Sequence, residues 1–205
     1  MRMKTASRPR VTRAEKNAAT SEALLAAAAQ TFAERGFEAT TMDQIAERVG
    51  LSKGALYYRY KSKEDLFLAL LDERSAAYVA QLEQTPAAGW DAFADQFLAI
   101  VREGTWPRLF FEFVAYASRR PQARRQLVKR TRAVRRAIQR VVEQQAGQAG
   151  VEPVMPAADI ALALIALGNG LALEHAADPR GVPDRAFLHL PALILAGATP
   201  RRRTA

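Results

Sequence analysis

Apolar positions recur at helical spacing along most of the chain. Leu25, Ala28, Ala29 and Phe32 mark one face of a first helix over about 18–35. Gly36 suits its stop, with Phe37 packing back on the last turn. Thr41 and Gln44 stand three apart, the spacing of a capping box, and open a second helix with Ile45 and Val49 inward. Ala46 lets a neighbouring helix approach, Gly50 ends the helix, and Leu51 fills the turn. Ser52 caps a third helix of about seven residues anchored by Leu56. Ser62 caps a fourth, with Asp65 at its third position and a stripe of Leu66, Phe67, Leu70 and Leu71, running to about Gln84.

The stretch "EQTPAAG" breaks the pattern. Trp90, Phe93, Phe97 and Val101 then form a fifth stripe, and Thr105 and Pro107 open a sixth helix carrying Leu109, Phe110, Phe113, Val114 and Ala117. Pro121 opens a seventh, to about Gln145, with Leu127, Val134, Ile138 and Val141 inward. "GQAGVEPVMP" reads as a loop, and helices near 157–176 and 184–198 follow, the last with Pro191 as a kink. Strand alternation and internal repeats are missing. The expected fold is all-α, about nine helices, in four parts: a disordered basic arm (1–17), a three-helix unit (18–65), a larger helical domain (66–200) and a basic tail (201–205).

Two short helices around a tight glycine turn make a helix-turn-helix. The first braces the second, and the second must present small or polar residues outward to enter the major groove. Ser52, Lys53, Gly54 and Ala55 suit that face and are the candidates for base reading. Gly54 costs helix stability, which close approach of a phosphate or base would explain. Tyr57, Tyr58 and Tyr60 offer hydroxyls to phosphates and flat faces to sugars; Tyr60 is equally a core candidate. Lys63 lies in the first turn of a helix, where its charge opposes the macrodipole. Phosphate contacts position and base contacts specify, so Thr41, Tyr57, Tyr58 and Lys63 are assigned to positioning.

Charge sharpens the picture. The 205 residues carry a formal net charge of +9, which suggests an anionic partner. Residues 1–63 hold twelve Lys/Arg against six Asp/Glu, and residues 119–140 hold ten Lys/Arg and no acid. The second run comprises Arg119, Arg120, Arg124, Arg125, Lys129, Arg130, Arg132, Arg135, Arg136 and Arg140. Such a run is ordinarily a solvated helix face whose stems cover apolar surface. An anionic effector, or extra contact with DNA or another protein, is the functional alternative. The N-terminus lacks the apolar core of a secretory signal. The apolar run from Ile160 stops at Gly168 and is followed by Asn169, Glu174 and His175, shorter than a bilayer of about 30 Å requires. A cytoplasmic protein without membrane attachment is expected.

The segment 20–70 resembles the DNA-binding segment of the TetR family of transcriptional regulators. The resemblance rests on Thr41, Ile45-Ala46, Gly50, Ser52, Gly54, Leu56-Tyr57, Tyr58, Tyr60 and Ser62-Lys63-Glu64-Asp65-Leu66, preceded by "FAERGFEATT". Tyr60 departs from the more usual Phe. The resemblance implies a homodimer, a C-terminal effector-binding domain and a four-helix dimer interface from the last two helices. It also implies release from the operator when an effector moves the fourth helix. "FFEFVAYASRRPQARRQL" and "GNGLALEHAADP" are similar to segments of one branch of the family.

Independently, a helix apolar on most sides, as at 160–173, must be buried on most sides, either in a protomer core or in a dimer. A two-fold dimer would set two recognition helices roughly 34–36 Å apart, or a multiple of that, on a palindromic operator in double-stranded DNA. Phe97, Trp106, Phe110, Phe113 and Tyr116 are candidate lining for a small-molecule cavity, although such stripes are also ordinary core. Asn169 and His175 are candidate polar contacts, His175 also reading as a structural histidine. The chain has no cysteine and two histidines, no Gly-rich phosphate loop and no metal-ligand spacing. No catalytic residue, metal or cofactor is expected. The reading is therefore a ligand-released repressor, with a broad-specificity DNA-binding or protein-interaction factor of the same fold as the alternative.

Overall fold

The computed structural model describes residues 13–84, 105–183, 185, 186, 189, 199 and 200. Among these residues there are seven helices: α1 (Arg13–Arg35), α2 (Met42–Val49), α3 (Lys53–Arg59), α4 (Lys63–Gln84), α5 (Thr105–Ser118), α6 (Pro121–Ala149) and α7 (Ala157–Ala177). A two-residue antiparallel pairing, Val151 with Pro200 and Glu152 with Thr199, is the one sheet element among them. The all-α class holds. The helices expected near 90–101 and 184–198 lie outside the described residues, apart from isolated positions in the second.

The boundaries follow local chemistry. Thr41 and Gln44 form the reciprocal capping box: the Gln44 N–H donates to the Thr41 hydroxyl at 3.3 Å, and the Gln44 carboxamide oxygen accepts from the Thr41 N–H at 3.1 Å. Gly50 closes α2 in the left-handed region at φ 71°, where a side chain would be strained. The Ser52 hydroxyl accepts from the Ala55 N–H at 3.2 Å, and that of Ser62 from the Asp65 N–H at 3.1 Å.

Two expectations change. α1 starts at Arg13, so residues 13–17 are helical rather than part of a disordered arm. Arg13, Ala14, Glu15 and Lys16 are strong helix formers, but their sequence shows no apolar period. α6 runs to Ala149 and ends on Gly150 at φ 65°, four residues beyond the expected end.

One cluster of buried residues joins α1, α2, α3, the first half of α4, α5 and the start of α6. Its centre is aromatic. Phe67 stacks on Phe113 at 4.2 Å, and Phe37 meets Phe113 edge-on at 4.9 Å. A second cluster joins Ile138, Val141 and Val142 of α6 to Ile160, Ala161, Leu164 and Ala172 of α7. α7 is 21 residues long, about 31 Å. Contrary to expectation, it is long and apolar enough to cross a membrane, judged by length and composition alone. One side of it packs on α6, and its opposite side exposes Leu162 and Leu173 at 43% and 47%.

Candidate nucleic-acid interface and ligand cavity

α3 is braced from one side. Leu56 is fully buried, and the Arg59 guanidinium donates to the Ser21 hydroxyl of α1 at 2.7 Å. The Tyr60 ring packs half-buried against the core, and burial pushes its phenol up. The opposite side of α3 faces solvent. Tyr58 is 84% exposed and Tyr57 45%. Ser52, Lys53 and Gly54 are exposed and Ala55 half-buried. A Cβ placed on Gly54 would meet nothing within 4 Å, so no contact inside the chain requires glycine there. Lys53 pairs with Asp43 of α2, which pulls its ammonium pKa up. This exposed ion pair holds little stability and is readily exchanged for another anion.

Thr41 and Lys63 sit differently. Thr41 is exposed, with its hydroxyl already engaged at the cap of α2. The half-buried Lys63 ammonium donates to the carbonyls of Phe37, Glu38 and Thr40 at 2.9, 2.7 and 3.1 Å. Burial pulls its pKa down. All three of its N–H donors are spent on the loop between α1 and α2. Its place in the first turn of α4 is thus explained by that loop, and a phosphate contact would require breaking these bonds.

α5 ties this head to the rest of the protein. Arg108 donates to the Ala33 carbonyl at 2.7 Å, near the C-terminal end of α1 where carbonyls lack helical partners. The Glu112 carboxylate accepts from the Phe37 N–H at 2.8 Å. The Tyr116 hydroxyl donates to the Glu64 carboxylate.

A cavity of about 160 Å³ lies between α4, α5, α6 and α7. Trp106, Phe110 and Asn169 line it as expected. Phe113 and Tyr116 do not: both point into the aromatic cluster around Phe37, where Phe113 is fully buried. His175 is not among its lining residues either. Phe97 lies outside the described residues. Sequence reading missed Leu71, Ser75 and Tyr78 of α4 and Thr131 and Val134 of α6. Ser75 and Tyr78 follow the apolar stripe of α4 at helical spacing, but no local signal separates cavity lining from core. Among the described residues no Asp, Glu, Lys or Arg lines the cavity, and burial pushes the Tyr78 phenol up. No group of three His, Cys, Asp or Glu among the described residues could hold a metal ion.

A family model described as "Bacterial regulatory proteins, tetR family" matches residues 24–70, the head just described, and "BetI-type transcriptional repressor, C-terminal" matches residues 86–196. The chain belongs to the TetR family. This regulator is 28% identical to YfiR, a helix-turn-helix transcriptional regulator of Bacillus subtilis (strain 168), over 92% of its own length and 98% of YfiR. GusR of Salmonella enterica superposes with a TM-score of 0.70 at 22% identity, covering 91% of this chain and 98% of GusR. SmeT in a complex with triclosan superposes with a TM-score of 0.65 at 22% identity, covering 88% and 92%. These superpositions establish the shared fold. The chain is a transcriptional regulator with a helix-turn-helix, from a family of regulators rather than enzymes.

Proposed function

We propose that this regulator is a cytoplasmic homodimeric repressor, released from a palindromic operator by a neutral, mostly apolar small molecule. The observation behind the DNA-binding half is the solvent face of α3. It is capped and braced from behind, presents Ser52, Lys53 and Gly54, and is flanked by exposed Tyr57 and Tyr58. Residues 18–65 form the reading head, and residues 66–200 bind effector and dimerise. α4 runs unbroken across that boundary, which makes it a lever between the two.

The dimer reading rests on α7. Leu162, Ala166, Gly170 and Leu173 make one exposed stripe at helical spacing, apolar and partly small. A second copy, through this helix and the segment 184–198, supplies the burial that one protomer withholds. The effector reading rests on the cavity. Its neutral lining would leave an ion without compensation, so the anionic effector considered from sequence is disfavoured there. Ser75, Tyr78, Thr131 and Asn169 supply a few polar contacts in an apolar wall. SmeT binding triclosan is a precedent for a small apolar ligand on this fold.

The same helices carry the signal. α4 lines the cavity with Leu71, Ser75 and Tyr78, and its first turn holds the head through Lys63. α5 lines it with Trp106 and Phe110, while Arg108 and Glu112 hold the end of α1 and the loop after it. A ligand that spreads α4 and α5 therefore moves the head.

Selection of duplexes from a random pool by the purified protein tests this reading. Enrichment of one palindrome is expected. Sequence-indifferent retention would replace it with a broad DNA-binding factor.

A further inference from the structure

The turn between α5 and α6 carries charge that no carboxylate among the described residues pairs with. Arg119, Arg120, Arg124 and Arg125 are exposed, and among the described residues none of them forms an ion pair. Arg130, further along α6, contrasts with them: it pairs with Asp72 at 2.9 Å. The first turn of α6 contains no acid, and Arg120 at its N-cap makes no side-chain cap. Cations here oppose the helix macrodipole. Arg119 and Arg120 also follow the C-terminal end of α5, where a cation is favourable, and the Arg120 guanidinium donates to the Tyr116 carbonyl at 3.4 Å. Helix stability does not account for Arg124 and Arg125.

Their location is informative. The Tyr116 hydroxyl donates to Glu64 in the first turn of α4, and the Arg120 guanidinium lies 3.7 Å over the Tyr116 ring. Arg120 is also near enough to bear on the Lys63 ammonium. Only Tyr60 to Ser62 separate α3 from α4. The arginine turn thus sits beside the exit of the recognition helix. From it an open groove of about 630 Å³ follows α6, lined by Ser118, Arg124, Arg125, Lys129, Arg132 and Arg136, with no acid among its described lining.

We propose that Arg119, Arg120 and Arg124 form a second phosphate-gripping surface, which holds duplex DNA flanking the segment read by α3. The proposal rests on the DNA-binding reading above. A duplex continues past any helix lodged in its groove, and its charge continues with it. Guanidinium forks suit phosphate oxygens bidentately. These contacts add affinity and salt dependence but no base preference.

The test uses full-length protein and two duplexes, both carrying the selected site, one trimmed to it and one extended at each end. Binding is followed by fluorescence anisotropy across a salt series. R119A/R120A/R124A should bind the extended duplex at least tenfold more weakly than wild type. Its salt slope should fall by about 0.9 for each phosphate that the variant no longer neutralises, and the rank order of site variants should not change. The trimmed duplex should separate the two proteins much less. R119A/R124A keeps the Arg120–Tyr116 stack and should show the same trend; thermal denaturation verifies that it is folded. R132A/R136A, at the far end of the groove, should behave as wild type on both duplexes.

Unchanged affinity and slope in R119A/R124A on the extended duplex would overturn the proposal and leave the patch to an acidic protein partner. Equal losses on the two duplexes, or in R132A/R136A, would also overturn it, as general electrostatics. A wild-type protein that binds no duplex would instead remove the DNA-binding reading itself.

Discussion

The head and the body of this regulator solve opposite packing problems. In the head, every short helix is capped, and Phe32, Phe37 and Phe67 are fully buried in mutual contact. In the body, α4, α5, α6 and α7 stop short of one another around a cavity, and α7 leaves one side uncovered. A surface that docks on a rigid duplex gains from being fixed before it binds. A site that admits a molecule needs space that the core would otherwise close. Stability in this protein is therefore concentrated in the head and relaxed around the cavity.

The largest test of that contrast is a pair of truncations. Phe67→Ala should cost about 3–5 kcal/mol, because four rings lose their common neighbour. Phe110→Ala, at the half-buried cavity wall, should cost about 1–2 kcal/mol. Urea denaturation reads both. Equal losses would mean that the cavity wall is as tightly packed as the head.

Gly54→Ala separates stability from function within the head. The substitution should stabilise α3 by about 1 kcal/mol, since the site is open. On the proposed interface the added methyl faces the groove, and affinity for the selected operator should fall by roughly tenfold, or about 1.4 kcal/mol. A more stable variant with unchanged affinity would remove Gly54 from the interface.

Thr41→Ala deletes half of the capping box and should cost about 1 kcal/mol, read by thermal denaturation. Its loss in DNA affinity should exceed what that destabilisation explains if the hydroxyl also meets a phosphate.

The smallest effect concerns alkaline stability. Burial, then the Glu64 carboxylate, push the Tyr116 phenol up to about 12, whereas unfolded it titrates near 10. The folded state therefore holds this proton more tightly. The contribution is complete below pH 10 and is lost between pH 10 and about 12. Tyr116→Phe should flatten that part of the stability curve. An unchanged slope would mean that the Tyr116–Glu64 bond does not fasten α5 to α4.

The elements of the head were legible because their determinants are local. A capping box, a left-handed glycine and a serine cap act over three or four residues, and Thr41, Gly50 and Ser52 state them outright. The Arg13 start of α1 was hidden, since propensity without an apolar period leaves no stripe to read. The surroundings of Lys63 were hidden for a related reason. Its three carbonyl partners lie 23 to 26 residues earlier and meet it only when α1, α2 and α4 are packed.

The sequence by itself therefore determined the all-helical class, the two-helix reading unit and the residues on its outer face. The helical period and the caps are written in single side chains and their near neighbours. Only the tertiary structure decided which aromatics are core and which are wall. Phe113 and Phe110 lie on one helix three residues apart, yet one is sealed against Phe67 and the other borders the cavity. That distinction is made by where α4, α6 and α7 come to rest, and an apolar side chain carries the same free energy of transfer whichever of those surfaces receives it.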